Sequence, residues 1–381
     1  MTKVYIVEIK RSPVGKTNGA LAHLRPEKMM ANLLKKVHGE LQLPVDEVIV
    51  GNAVGLGGNL ARLSVLEAGL PMQTSATTID FQCGAALKAL EYGFFSIASG
   101  HKSVVYVGGV ESTSQEPRVF LNHTDPLYHG ETPEARGQFS PLTLGDPDML
   151  DGAENCYQLL KPPKETIEAI VLRSHERAVV AKDKGLLSEI ICPMQSLTGE
   201  EIIEDESIRP RMSKRLIDKA KPLVKEGGYT TVANSCLTHD GASLIALVSE
   251  EVVDKYKLVP LAEIVGSESA GLNPNYSPLG PVVATRKLLH KYNISCKEIA
   301  TVEVNEAFAV KTWAMETYFD FSEDQINPLG GALAYGHPYG ATGGILMAHL
   351  IVGMNQREEE YGIATMGVAG GQGIAVLIRK V

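Results

Sequence analysis

Four short stretches of this 381-residue chain carry side chains suited to acyl or proton chemistry. The first holds Cys83, in TTIDFQCGAALKALEYGFFSIASG, between an apolar strand and an apolar helix. Gly84, Ala85 and Ala86 are small enough to let a ligand approach. The positive end of a helix favours an anion, so a thiol there is expected to ionise below the free value of about 8.5. Taken alone, an inert core cysteine that falls at a helix start explains the same residues.

The second is His337, between Gly336 and Pro338 in NPLGGALAYGHPYGATGGI. A rigid loop just before a helix suits a general base that must keep its geometry. The other nine histidines, His101, His175 and His349 among them, read as surface residues. The third is Asn305-Glu306 in VEVNEAFAV, at the end of an apolar strand, where α/β sheets place their sites. The plainer readings are a turn-forming asparagine and a helix-start carboxylate. The fourth is GVAGGQG (367–373), whose small residues expose backbone N–H groups able to hold an oxyanion. Its plainer reading is a tight turn before the last strand.

These residues need elements to position them. Strands are expected at 4–9, 47–51, 77–79, 103–107, 261–265, 300–304 and 363–368. Helices are expected at 26–41, 84–99, 164–184, 281–292 and 341–355. Strands alternating with helices predict an α/β fold whose sheet is covered on both faces. The chain also echoes itself. Cys83 opens an apolar helix followed by SVVYVGGVE; HPYGATGG opens another, followed by GIATMGVAGG; and DEVIVGNAVG matches ATVEVNEAFA. Two such halves would supply loops to one shared site. Between them, residues 117–245 are richer in Pro, Glu, Lys and Asp and lack the rhythm, which predicts an inserted loop domain. Its helix 164–184 presents Ile167, Ile170, Val171, Ser174, Ala178 and Val179 on one face.

Composition bounds the function. A 44% hydrophobic fraction excludes wholesale disorder, and a net charge of −9 argues against nucleic acid as a main partner. No apolar run approaches the roughly 18 residues of a membrane span, and MTKVYIVEIKRSPVG reads as a first strand, not a signal peptide. A cytoplasmic protein is expected. Five cysteines, at 83, 156, 192, 236 and 296, form no C-x-x-C unit, so neither a disulfide framework nor a metal site is expected.

In combination the stretches resemble the thiolase family, which cleaves 3-ketoacyl-CoA or condenses two acyl-CoA molecules. The likeness covers nearly the whole chain: RSPVGKTNGAL (11–21), ARLSVLEAGLP (61–71), residues 78–90, GGVESTSQ (108–115), RSHERA (173–178), GPVVATRKLL (280–289), VNEAFA (304–309) and residues 327–344. It implies a five-layered α-β-α-β-α fold with two pseudo-repeated halves. The first half would be 1–116, completed by about 246–258, and the second 259–381, with the acyl-CoA-binding loop domain at 117–245 between them. It implies a homodimer or homotetramer acting on coenzyme A thioesters, with no permanently bound cofactor. The nucleophile then falls on Cys83, the base that takes its proton on His337, and a water-positioning asparagine on Asn305. A main-chain oxyanion hole falls on Cys83 and Ala369. Lys221, Gly266 and Ser267 are candidate coenzyme A contacts.

Three departures stand out. Gly367 occupies the position of the family's second cysteine, which moves the α-proton in carbon–carbon bond making or breaking. Ala369 replaces a glycine of the same run, and Asp148 stands where the family approaches the thioester with a histidine. The expected function is thiolase-type acyl transfer through Cys83 with weakened condensation. The alternatives are an acyl-CoA-binding relative without turnover and a Cys-His-Asn condensing enzyme.

Overall fold

The computed structural model describes residues 2–357 and 360–381. Its strands are β1 (Val4–Arg11), β2 (Gly15–Lys16), β3 (Glu47–Gly51), β4 (Ser75–Ile79), β5 (Val104–Ser112), β6 (Met194–Gln195), β7 (Glu201–Ile202), β8 (His239–Ser249), β9 (Ala262–Gly271), β10 (Ile299–Val304), β11 (Tyr361–Val368) and β12 (Gln372–Arg379). The helices are α1 (Pro26–Leu41), α2 (Leu60–Ala68), α3 (Ala85–Ala98), α4 (Met149–Leu160), α5 (Lys164–Asp183), α6 (Lys214–Asp218), α7 (Glu250–Tyr256), α8 (Gly280–Tyr292), α9 (Ala309–Phe319), α10 (Ala332–Tyr335) and α11 (Tyr339–Asn355).

One sheet runs in the order β10-β11-β12-β9-β1-β8-β5-β3-β4, with β2 paired to β8. Its two wings repeat each other. In the first, β1–β8 and β8–β5 are antiparallel, while β5–β3 and β3–β4 are parallel. In the second, β9–β12 and β12–β11 are antiparallel, β11–β10 is parallel, and a parallel bridge from Val302 to Ile326 stands where β4 would be. The helices follow suit, α3 matching α11 in its place between strands. The echo read from the sequence is therefore a structural repeat.

The core explains the layering. Strand residues alternate, so Val105 and Val107 face one way and Val104 and Tyr106 the other. One continuous core joins Ile49, Val107 and Leu247 of the first wing to Ala364, Met366 and Val376 of the second, through α3 and α11. The other face of the first wing is covered by α1 and α2, and that of the second by α8 and α9. Helix α11 has apolar residues all round, as a helix enclosed by protein requires. Among the described residues, no helix is long and apolar enough to cross a membrane.

The excursion between the wings carries α4, α5 and α6, and the anticipated face of α5 is buried apart from the half-buried Val179. The main sheet resumes at His239, inside the stretch expected to be loop domain. All of β8 is buried, so it shows neither strict alternation nor a polar boundary. A buried bidentate pair fixes this excursion to β1: Arg11 Nη1 and Nη2 each donate at 2.8 Å to the Asp205 carboxylate.

Candidate active site

The chain leaves β4 at Ile79 and turns through Asp80 and Phe81 into a 3₁₀ turn, Gln82–Gly84, before α3. Gln82 has φ +45°, and its N–H donates to Asp80 Oδ1 at 2.7 Å. That left-handed residue turns the chain sharply and sets Cys83 at the helix mouth. Gly84 is needed for close approach: a Cβ there would lie 2.7 Å from Val368 Cγ2 and 2.8 Å from the Phe81 ring. The end of β11 is thereby pressed against the cysteine turn.

Burial reverses the ionisation expected from the helix mouth. Cys83 is half-buried, and the protein packed around it pushes the thiol up to about 11, with the Lys311 ammonium opposing and Glu111 adding to the rise. Desolvation of an anion here outweighs the partial charge of one helix end.

His337 sits on the loop joining α10 to α11, and its placement depends on the residue before it. Gly336 has φ +100°, and a Cβ there would lie 2.3 Å from the His239 ring. The His337 N–H donates to Leu237 O at 3.2 Å, and Thr238 pairs with His337 as a parallel bridge. Nδ1 of the ring lies 2.7 Å from Thr342 Oγ1 on the first turns of α11, and Nε2 lies 3.4 Å from Asn305 Nδ2. The amide N–H₂ can only donate, so Nε2 carries the lone pair and Nδ1–H donates to Thr342. Burial, reinforced by Lys311 and His239, pulls His337 down to about 3, so the imidazole is neutral. The ring is held from both sides and uncharged.

Asn305 is fully buried at the end of β10. Its N–H bonds Thr365 O at 3.1 Å, and its Oδ1 has no partner. An unmet buried acceptor beside an imidazole calls for a donor, which a water or a substrate would supply. Glu306 plays a different part: its Oε2 accepts from Ser174 Oγ at 2.6 Å, and the same hydroxyl accepts the Gly331 N–H at 3.1 Å. It fastens α5 to the glycine turn preceding His337.

Ala369 lies in the turn between β11 and β12, next to the strand end that touches the cysteine turn. At Gly367 a Cβ would lie 2.8 Å from Ser277 O and 3.2 Å from Pro281 Cδ. The place of a side chain is thus filled by the segment leading into α8. Asp148 is the N-cap of α4, accepting the Asp151 N–H at 2.8 Å.

The coenzyme A candidates do not hold together. Lys221 is exposed in the excursion. Gly266 and Ser267 lie inside β9, Gly266 under the Tyr292 ring and Ser267 donating to Glu91 and Ala375 O. Both residues are used in packing and pairing the sheet, and this placement lends no support to a coenzyme A contact. Three histidines expected at the surface are also buried, His175, His239 and His349, because each fills a gap between packed elements.

Several groups around Cys83 were not singled out in the sequence. Cys236 donates its N–H to Ala307 O at 2.8 Å, two residues past Asn305. Lys311, on the first turn of α9, is 1% exposed and its ammonium has no hydrogen-bond partner. Glu111 is also buried. Its carboxylate accepts from Asn52 Nδ2 and from the N–H groups of Ala53, Val54 and Gly340. The signal for Lys311 is present in AVKTWAM, a lone charge in an otherwise uncharged first turn. Among the described residues, no group of three His, Cys, Asp or Glu is arranged to hold a metal ion.

Comparison with known proteins agrees over the full chain. The family models for the thiolase N-terminal domain and the thiolase C-terminal domain match residues 4–251 and 258–380. A Bacillus subtilis protein named "Putative acetyl-CoA C-acetyltransferase YhfS" is 37% identical over 374 residues, covering 98% of each chain. The Staphylococcus aureus protein "Putative acetyl-CoA C-acetyltransferase VraB" is 35% identical over 386 residues, covering 100% of both. Among solved structures, human mitochondrial 3-ketoacyl-CoA thiolase superposes with a TM-score of 0.92 at 31% identity, covering 100% of this chain and 99% of that one. The Bacillus anthracis acetyl-CoA acetyltransferase does so with a TM-score of 0.93 at 31% identity, with the same coverage.

Proposed function

The chain belongs to the thiolase family, and from that premise we propose that it transfers acyl groups between coenzyme A thioesters through an acyl-enzyme on Cys83. It is an acyltransferase of thiolase type; the covalent step and its residues are our reading. His337 Nε2 takes the Cys83 proton as Sγ attacks the thioester carbon. The developing oxyanion is held by the Cys83 and Ala369 N–H groups. The carbon–sulfur bond to coenzyme A then breaks, and the leaving thiolate recovers the proton from His337. Asn305 Oδ1, which has no protein partner, holds a water whose other hydrogen polarises the carbonyl of the second acyl group.

The observation that carries this reading is the chain Asn305–His337–Thr342. It fixes a neutral imidazole on a loop, with the lone pair of Nε2 on the Asn305 side of the ring. A thiol held near 11 is no free nucleophile, so deprotonation must accompany attack, and that requires a base of this kind.

The test is thiolysis of acetoacetyl-CoA by coenzyme A, followed in steady state for the wild type and Cys83→Ala. The substitution should remove at least about 10³-fold of the rate. Equal rates in both would reduce the chain to an acyl-CoA-binding protein.

A further inference from the structure

Joining two acyl units requires more than a nucleophile, because a proton must leave the α-carbon of the second thioester. Gly367 has no side chain to take it, and the segment at Ser277–Pro281 fills the adjoining space. The groups that share Cys83's surroundings are few. His337 is already committed to the thiol, Thr342 and Asn305. The Glu111 carboxylate is bound by four N–H donors, and Asp80 accepts from Gln82. Tyr339 packs edge-on against the His337 ring. Burial pushes the Cys156 and Cys236 thiols up to about 12.

Lys311 differs from all of these. A buried lysine is ordinarily paired, and this one has no partner. It is the third residue of α9, six residues after Asn305 in the chain, and the extended Phe308 caps the helix between them. Helical side chains lean toward the N-terminus, so its stem runs back toward the Asn305–Ala307 turn, to which Cys236 is hydrogen-bonded. Its charge acts on the Cys83, Cys236 and Cys156 thiols and on the His337 ring. We propose that Lys311 is the acid–base group of the carbon–carbon bond-forming step, taking the α-proton that the side-chain-free position 367 cannot.

The step balances as follows. The neutral Lys311 amine removes a proton from Cα of a second acyl-CoA. The electron pair left behind bonds to the acyl carbon on Cys83, whose carbon–sulfur bond breaks. The Cys83 thiolate then recovers the proton from the Lys311 ammonium. Burial, opposed by the three thiols, brings the amine down to about 8, where it can both accept and return a proton near neutrality.

This inference rests on the acyl-enzyme reading, and the experiment separates the two. Wild type, Lys311→Met and Lys311→Arg are each incubated with acetyl-CoA in deuterium oxide. Intact-protein mass reports acetylation of Cys83, and the mass of the recovered acetyl-CoA reports exchange at the α-carbon. All three should acetylate Cys83, and thermal melting should show all three folded. Wild type should exchange, with a rate rising through the titration of Lys311. Both variants should lose roughly 10²- to 10⁴-fold of the exchange and its pH dependence, because methionine has no base and arginine does not deprotonate. Exchange at the wild-type rate in folded Lys311→Met would overturn the proposal. So would a wild type that acetylates Cys83 without exchanging, or variants losing acetylation and exchange equally. A wild type that never acetylates overturns the acyl-enzyme reading instead.

Discussion

The side-chain amide of Asn305 lies 3.4 Å from Nε2 of His337, although 32 residues separate them in the chain. Thr342 holds the opposite ring nitrogen at 2.7 Å, so one imidazole is gripped from two elements. Removing the Thr342 hydroxyl frees the ring to change tautomer. Thr342→Val should lower kcat for thiolysis by roughly 10- to 100-fold while barely moving the melting temperature, a conserved-shape change in a catalytic support. Steady-state kinetics with parallel melting curves checks it, and an unchanged kcat would show that Thr342 does not set the tautomer.

Burial makes His337 a pH liability. Its folded value, about 3, lies below the ordinary 6.5, so between those limits the unfolded chain binds a proton that the folded chain refuses. Stability therefore falls as pH drops below about 6.5 and the loss levels off near 3. His175, pulled down to about 4 by burial, acts in the same direction. Melting temperatures from pH 7 to pH 4 should decline less steeply in His337→Gln than in the wild type. Parallel curves would mean the imidazole is not shielded.

The Arg11–Asp205 pair is buried with both bonds at 2.8 Å, and Asp205 Oδ1 also accepts the Val14 N–H. Asp205→Ala leaves a guanidinium enclosed without its carboxylate and should cost about 3–5 kcal/mol in denaturant unfolding. Arg11→Met combined with Asp205→Ala should cost less than the two single changes summed. Simple additivity would count against the pairing.

Restoring a cysteine at position 367 should not restore a thiolase-like dyad. Its Cβ meets Ser277 O at 2.8 Å, so the backbone before α8 must shift. Gly367→Cys should lose about 1–3 kcal/mol of stability and gain no thiolysis activity. A stable variant with a raised kcat would show the space to be open.

Much of this was legible in the sequence because it is local. The cysteine at a strand-to-helix turn, the GHP loop before α11 and the asparagine at the end of β10 all lie in patterned segments. The repeat of the two wings could be read from matched apolar runs, since each half must build the same strand–helix units. What stayed hidden is long-range. The helix mouth at Cys83 pointed to an acidic thiol, but enclosure by the second wing cannot be seen from residues 77–100, and it wins. Gly266 and Ser267 offered small polar character that β9 uses for sheet packing. Strand β8, buried throughout, lacks the alternation that would have marked it. Cys236 becomes notable only once the 234–239 segment is packed beside the Asn305–Ala307 turn, whereas Lys311 was marked locally as a lone charge but its burial was not.

The central claim is that Cys83 carries the acyl group, and the most direct measurement is the intact mass of the protein after brief exposure to acetyl-CoA. The wild type should gain one acetyl group, mapped by peptide analysis to residue 83 and removed by added coenzyme A. Cys83→Ala should gain none. An unmodified wild type, or an adduct on a different residue that Cys83→Ala retains, would contradict the account.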